Sequence, residues 1–211
     1  MINLPVEQGS YEWHEARRGI PTASEFKRII TSQGKAAAGR MTYVYELVAQ
    51  RIMGFTDEQL ENMEAAASPW MERGKQMESE AADFYALIRD VEPKTVGFCY
   101  LDKRRNIGAS PDRFIGAGLL EIKCPAPHNH IKYLEGGEVP AEYVPQVQGQ
   151  MWVTGRPWCD FMSYHPSLPP LIVRVEPDPA FTEAMSKLVE QTAEDVERIT
   201  QKLKEGSNAA K

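Results

Sequence analysis

The stretch NIGASPDRFIGAGLLEIKCP (106–125) constrains the fold most tightly. Two strand-like runs, 106–116 and 118–125, meet at a glycine turn, Gly116 and Gly118, and the second stops at Pro125. A further run, KTVGFCYL (94–101), precedes them across the polar turn DKRR, so the three predict a three-stranded meander. Side chains alternate along a strand, so Glu121 and Lys123 share one side and Leu120 and Ile122 the other. Asp112 precedes the turn and can lie across the hairpin from Glu121.

Two carboxylates and an ammonium would then converge at a sheet edge. Like charges about 4 Å apart repel by ~4 kcal/mol at an effective dielectric near 20. Either a proton is taken up or a divalent cation binds. Hard cations such as Mg²⁺ prefer carboxylate and carbonyl oxygen. A lysine beside the pair suits a reaction in which the attacking water and a phosphate carry negative charge. Asp112 after Ser110-Pro111, with Glu121-x-Lys123 in an apolar strand, carries the features of a PD-(D/E)xK nuclease core.

The remaining pattern supplies helices around such a sheet. Thr22 and Glu25 in TASEFKRIIT fit a capping box, and SQGKAAAGR (32–40) reads as a mobile basic loop. MTYVYELVAQRIMG (41–54) is helical and ends at Gly54. A second helix opens with Ser68 as N-cap and Pro69 at its first position, with Met77, Ala81, Phe84 and Ile88 as its buried face. Residues 142–155 read as a helix with Pro145 in its first turn and Met151 and Trp152 in the core. PWCDFMSYH and PLIVRVE are strands, and residues 178–205 form a last helix. The order predicts a mixed α/β (α+β) domain over 1–205, a central mixed sheet flanked by helices, and a disordered tail at 206–211.

Composition narrows the class of function. The 211 residues suit one domain, and no apolar run approaches a membrane span. Cys99, Cys124 and Cys159 stand too far apart for a zinc pattern, which favours reduced thiols in the cytoplasm. They also fall short of the four cysteines an iron–sulfur cluster needs. The net charge of −6 argues against a nonspecific nucleic-acid coat but not against a local basic groove. His128 and His130 in PHNHIKYL are expected in a loop, since HNH nucleases are defined by separated positions and not by a tripeptide.

The chain resembles the phage lambda exonuclease family of alkaline recombination nucleases. The matching segments are VEQGSYEWHEARRGIPTASEF (6–26), GKQMESEA (74–81), GASPDRF with LLEIKCP (108–125), and YVPQVQGQMWVTG (143–155), in the family's order. The resemblance implies Asp112, Glu121 and the backbone carbonyl of Ile122 as metal ligands, with Glu78 completing the site. It implies Lys123 as the residue that orients the attacking water, with Gln146 close to the catalytic centre and Tyr143 near it. It places the 5′-phosphate of a DNA end on Arg17, Ser24 and Ser110, and an apolar wedge at Met71. Tyr143 is a further expected DNA contact, and Lys35 a candidate DNA-backbone contact, as are Arg18, Lys27, Arg28, Arg40, Arg104, Arg105 and Arg113.

The implied activity is a Mg²⁺-dependent 5′→3′ exonuclease that digests one strand of double-stranded DNA from its end. It would leave a 3′ single strand for phage-type recombination. Two Mg²⁺ ions are expected, ~3.5–4 Å apart, with Mn²⁺ able to substitute. A ring-shaped homotrimer and a single-strand annealing recombinase are the implied partners, with no membrane. Two alternatives stay open: a PD-(D/E)xK endonuclease, and a noncatalytic DNA-end-binding protein.

Overall fold

The computed structural model describes residues 1–55 and 69–209, with side chains described for 1–55 and 76–206. The chain begins with β1 (Ile2–Leu4) and α1 (Tyr11–Arg17), the latter capped by the Ser10 side chain, which accepts from the Trp13 amide. A 3₁₀ turn (Ala23–Arg28) follows, then α2 (Arg40–Met53) and α3 (Pro69–Arg89). Five short strands come next: β2 (Lys94–Thr95), β3 (Phe98–Tyr100), β4 (Gly108–Ala109), β5 (Arg113–Ile115) and β6 (Gly118–Lys123). The chain continues through α4 (Pro127–Gly136), α5 (Val144–Thr154), β7 (Cys159–Ser163), β8 (Leu171–Val175) and α6 (Pro179–Ala209).

The mixed α/β architecture is as expected, but the meander is divided. Its first two runs break at Val96-Gly97 and at Ser110-Pro111, so each contributes to two sheets. One sheet has the order β1-β3-β4 and the other β2-β5-β6-β7-β8. In the larger sheet only β6 and β7 run parallel, with Glu121 opposite Phe161 and Lys123 opposite Ser163. A parallel pair needs a long crossover, and α4 and α5 provide it. The β5–β6 hairpin pairs Arg113 with Leu120 and turns at Gly116, whose φ of +51° is costly for other residues.

Other local expectations change under tertiary packing. The capping box does not form: the Glu25 amide bonds to the Thr22 carbonyl at 2.8 Å in a 3₁₀ turn. Thr22 is instead held by a bridge to Gly108. The loop before α2 is pinned by an Ile30–Ala36 bridge. Residues 127–136 are helical, not a loop, because Pro127 starts α4 and Gly137 caps it in the left-handed conformation. His130 is buried there between Ser163 (2.7 Å) and the Pro169 carbonyl (3.0 Å), while His128 is exposed. Helix α6 runs past residue 205 to Ala209. Ser68, the expected N-cap of α3, lies outside the described residues.

The two faces of the larger sheet are covered differently. Leu120, Ile122 and Met162 pack against Ala81, Ala82 and Tyr85 of α3. Leu119 and Phe161 pack against Val147 and Met151 of α5. Beyond α5, Val44, Leu47 and Val48 of α2 meet Met185, Val189 and Val196 of α6. Gly149 lets α5 approach the 3₁₀ turn: a Cβ there would stand 2.5 Å from the Phe26 ring.

Candidate active site

The hairpin register puts Asp112 beside the end of β6. Its Oδ2 accepts from the Ile122 amide at 2.6 Å. A strand residue's N–H and C=O share an edge, so the Ile122 carbonyl belongs to the edge that Asp112 occupies. Glu121 is 1% exposed. Its Oε1 accepts from Lys123 Nζ at 2.6 Å and from Gln146 Nε2, and its Oε2 accepts from Gln150 Nε2 at 2.6 Å. The Tyr143 ring centroid lies 5.1 Å from Lys123 Nζ. Asp112, Glu121, Ile122, Lys123, Gln146 and Tyr143 therefore form one group.

Burial and then the Glu121 and Glu78 charges push the Asp112 carboxyl well above the usual carboxylate range. Burial by itself would lower Lys123, but the Glu121 and Asp112 carboxylates outweigh it and hold the ammonium above its ordinary value. This is the response of a crowded acidic centre, and Lys123 is the cation that neutralises it.

Glu78, on α3, lies close enough to this centre for its charge to act on Asp112. The expected buried stripe ended at Ile88, which is exposed; the observed stripe is Ala81, Ala82 and Tyr85. Glu78 is in phase with that stripe, three, four and seven residues ahead, so it shares the face turned to the sheet. Arg113 Nη1 bonds to its Oε1 at 3.0 Å. Tyr85, at the far end of the stripe, donates to the buried Asp160, which also receives Arg174. That network and the packing of Ala81 and Ala82 on the sheet hold the face of α3 that carries Glu78.

A second group adjoins the first through Ser110-Pro111-Asp112. Arg17 donates to Ser24 Oγ at 3.1 Å and to Ser110 Oγ at 3.4 Å. The Arg17 guanidinium lies 4.0 Å from the Trp13 ring, and Trp13 Nε1 donates to Ser110 Oγ at 2.8 Å. Among the described residues no carboxylate pairs with Arg17. Burial lowers its pKa from the ordinary arginine value. A desolvated cation facing two hydroxyls suits an anion such as phosphate.

Most other candidate DNA contacts are committed elsewhere. Arg18 pairs with Glu15, Arg28 with Glu46, Arg40 with Asp195 and Arg104 with Asp102. Lys27, Lys35 and Arg105 are exposed, and Lys35 lies on the loop before α2, outside both groups. The Met71 side chain lies outside the described residues. Sequence reasoning missed Trp13 and, though Gln150 shares a helix face with Gln146 and Tyr143, gave Gln150 no role. Trp13 stands four residues before Arg17, one helical turn away. Gln150 stands four after Gln146, and that spacing was the available signal for its contact with Glu121. A cavity of about 750 Å³ opens beside both groups, lined in part by Gln8, Trp13, His14, Glu78 and Arg113.

The donor set suits a hard cation. Among the described residues no three His, Cys, Asp or Glu side chains form a cage by themselves. Mg²⁺ does not require one, since it is usually held by one or two carboxylates with water and substrate phosphate. Asp112 and Glu121 with the Ile122 carbonyl meet that requirement, and the raised Asp112 carboxyl marks where positive charge is needed.

Comparison with known proteins bears on the family and the fold. The profile of the YqaJ-like viral recombinase domain matches residues 12–157. The alkaline exonuclease LHK-Exo of Laribacter hongkongensis superposes with a TM-score of 0.82 at 32% identity, covering 96% of this chain and 100% of that one. Its complex with dAMP superposes with a TM-score of 0.81 at 32% identity, with the same coverage. A phage-related exonuclease from Haemophilus somnus 129PT shares the fold at 14% identity, with a TM-score of 0.63 over 87% of this chain and 96% of that one. A search of curated proteins finds no significant match.

Proposed function

The chain belongs to the family of YqaJ-like viral recombinase domains, and from that premise we propose that it is a Mg²⁺-dependent 5′→3′ exonuclease of double-stranded DNA. The observation that carries this reading is the linkage of two groups through one tripeptide. Ser110 contacts the cation Arg17, and Asp112, two residues on, belongs to the acidic centre. Two extended residues span about 7 Å, so an end-binding pocket and a hydrolytic centre stand side by side. A terminal phosphate on Arg17, Ser24 and Ser110 would bring the next phosphodiester to Asp112 and Glu121. Each cut then creates the next 5′-phosphate.

Asp112, Glu121 and the Ile122 carbonyl would hold the metal, with Glu78 completing the site. Bound there, Mg²⁺ would supply an activated water and stabilise the leaving oxygen. Lys123 orients the attacking water and offsets charge on the phosphate. Gln146 and Tyr143 hold Glu121 and Lys123 in place, and Lys35 and Met71 contact the incoming duplex. The product is a 3′ single strand for an annealing recombinase. The enzyme works in the cytoplasm as a ring-shaped homotrimer, in which only the channel need be basic although the chain carries −6.

A linear duplex labelled at one 5′ end, digested with and without Mg²⁺, tests the reading. Early release of the labelled mononucleotide only with Mg²⁺ supports it. Release that begins at the 3′ end, or cutting of a covalently closed circle as by an endonuclease, overturns it. Light scattering should give the mass of three chains.

A further inference from the structure

Glu121 is gripped by one helix at both oxygens. Gln146 and Gln150 stand one turn apart on α5, and each sends its amide to a different oxygen. Gln146, 9% exposed, shares Oε1 with Lys123. Gln150, 1% exposed, takes Oε2 at the closed end. Its neighbours on α5, Val147 and Met151, belong to an apolar cluster with Leu119 and Phe161. The Gln150 Oε1 finds no hydrogen-bond partner among the described residues. A buried glutamine that leaves its carbonyl unsatisfied is held there by its amide, and that amide bonds to Glu121.

We propose that Gln150 is a positioning residue for Glu121. By occupying Oε2 it fixes the rotation of the carboxylate and leaves Oε1 turned toward Lys123 and the more open end of the site. Gln150 touches neither DNA nor the reacting atoms; it acts through Glu121 alone. The proposal rests on the reading of Glu121 as a metal ligand. Groups that orient a ligand tune metal affinity, and their loss typically costs 10- to 100-fold.

The test is Gln150→Met, which keeps the length and suits the apolar cluster. Mn²⁺ is titrated into the DNA-free protein by calorimetry, beside wild type and Glu121→Gln. In parallel, the Mg²⁺ concentration for half-maximal digestion and the KM for duplex ends at saturating Mg²⁺ are measured. The expected result is a Kd for Mn²⁺ raised roughly tenfold or more, a matching shift in Mg²⁺ midpoint, and an unchanged KM. Wild-type Mn²⁺ affinity in Gln150→Met, with affinity lost in Glu121→Gln, overturns the role of Gln150 alone. Lower turnover at unchanged metal affinity overturns it too, since that marks a merely structural residue. Wild-type Mn²⁺ affinity in Glu121→Gln overturns the ligand reading itself. Should Gln150→Met not fold, Gln150→Leu is read in the same way.

Discussion

Lys123 Nζ lies 2.6 Å from Glu121 Oε1, an ion pair whose carboxylate is 1% and whose ammonium side chain is 24% exposed. The lysine therefore neutralises the centre structurally as well as serving its proposed chemistry. Removing one partner of a buried pair leaves an uncompensated charge, at about 3–5 kcal/mol. Lys123→Ala should lose turnover and, without metal, about 3 kcal/mol of stability in urea denaturation. Divalent cation should restore part of that loss, because it meets the same carboxylates. If metal gave the variant no more stabilisation than wild type, the shared electrostatic role would be wrong.

Asp112 gives a pH prediction. Burial, then repulsion from Glu121 and Glu78, raises its folded-state pKa. A raised carboxyl contributes stability below its unfolded value near 3.9, and that contribution is lost as pH rises through the folded value. The metal-free protein should therefore be weakened by this group at about pH 8. Asp112→Asn keeps an oxygen for the Ile122 amide and removes the charge. It should raise the metal-free melting temperature at that pH while abolishing hydrolysis. A lower melting temperature in the variant would contradict the crowded-charge account.

Arg17 governs the end chemistry. Wild type should prefer 5′-phosphorylated over 5′-hydroxyl ends. A hydrogen bond to a charged group contributes about 1.5–3 kcal/mol, so Arg17→Ala should reduce that preference roughly tenfold or more. The measurement is the ratio of initial rates on two otherwise identical duplexes. Equal wild-type rates on both ends would remove the pocket; an unchanged ratio in Arg17→Ala would remove Arg17 from it.

Tyr85 stands two helical turns beyond Glu78 on α3. Its hydroxyl donates to Asp160, which is 1% exposed. Tyr85→Phe leaves the carboxylate with Arg174 as its side-chain partner among the described residues and should cost about 1–3 kcal/mol in urea denaturation. Asp160→Asn combined with Tyr85→Phe should cost less than the sum of the two single changes, because they share one network. Additive losses would show that the two residues act independently.

Local chemistry determined much of this protein. Helices α2 and α6 follow from apolar spacing and from Gly54, the β5–β6 hairpin from Gly116, and the shared side of Glu121 and Lys123 from strand alternation. Asp112 reaches them because a tight hairpin leaves few registers. Tertiary structure decided what depends on contacts between distant segments. The meander split into two sheets because Thr22 and β1 compete for its strands. Arg17, Ser24 and Ser110 meet only because the 3₁₀ turn packs beside β4. Glu78 faces the sheet because α3 buries Ala81, Ala82 and Tyr85, a stripe turned about a quarter of the way round the helix from the one its apolar spacing suggested. Gln150 carried the spacing to reach Glu121, but packing of α5 on β6 was needed to bury both, and burial is what turns a glutamine amide into a clamp.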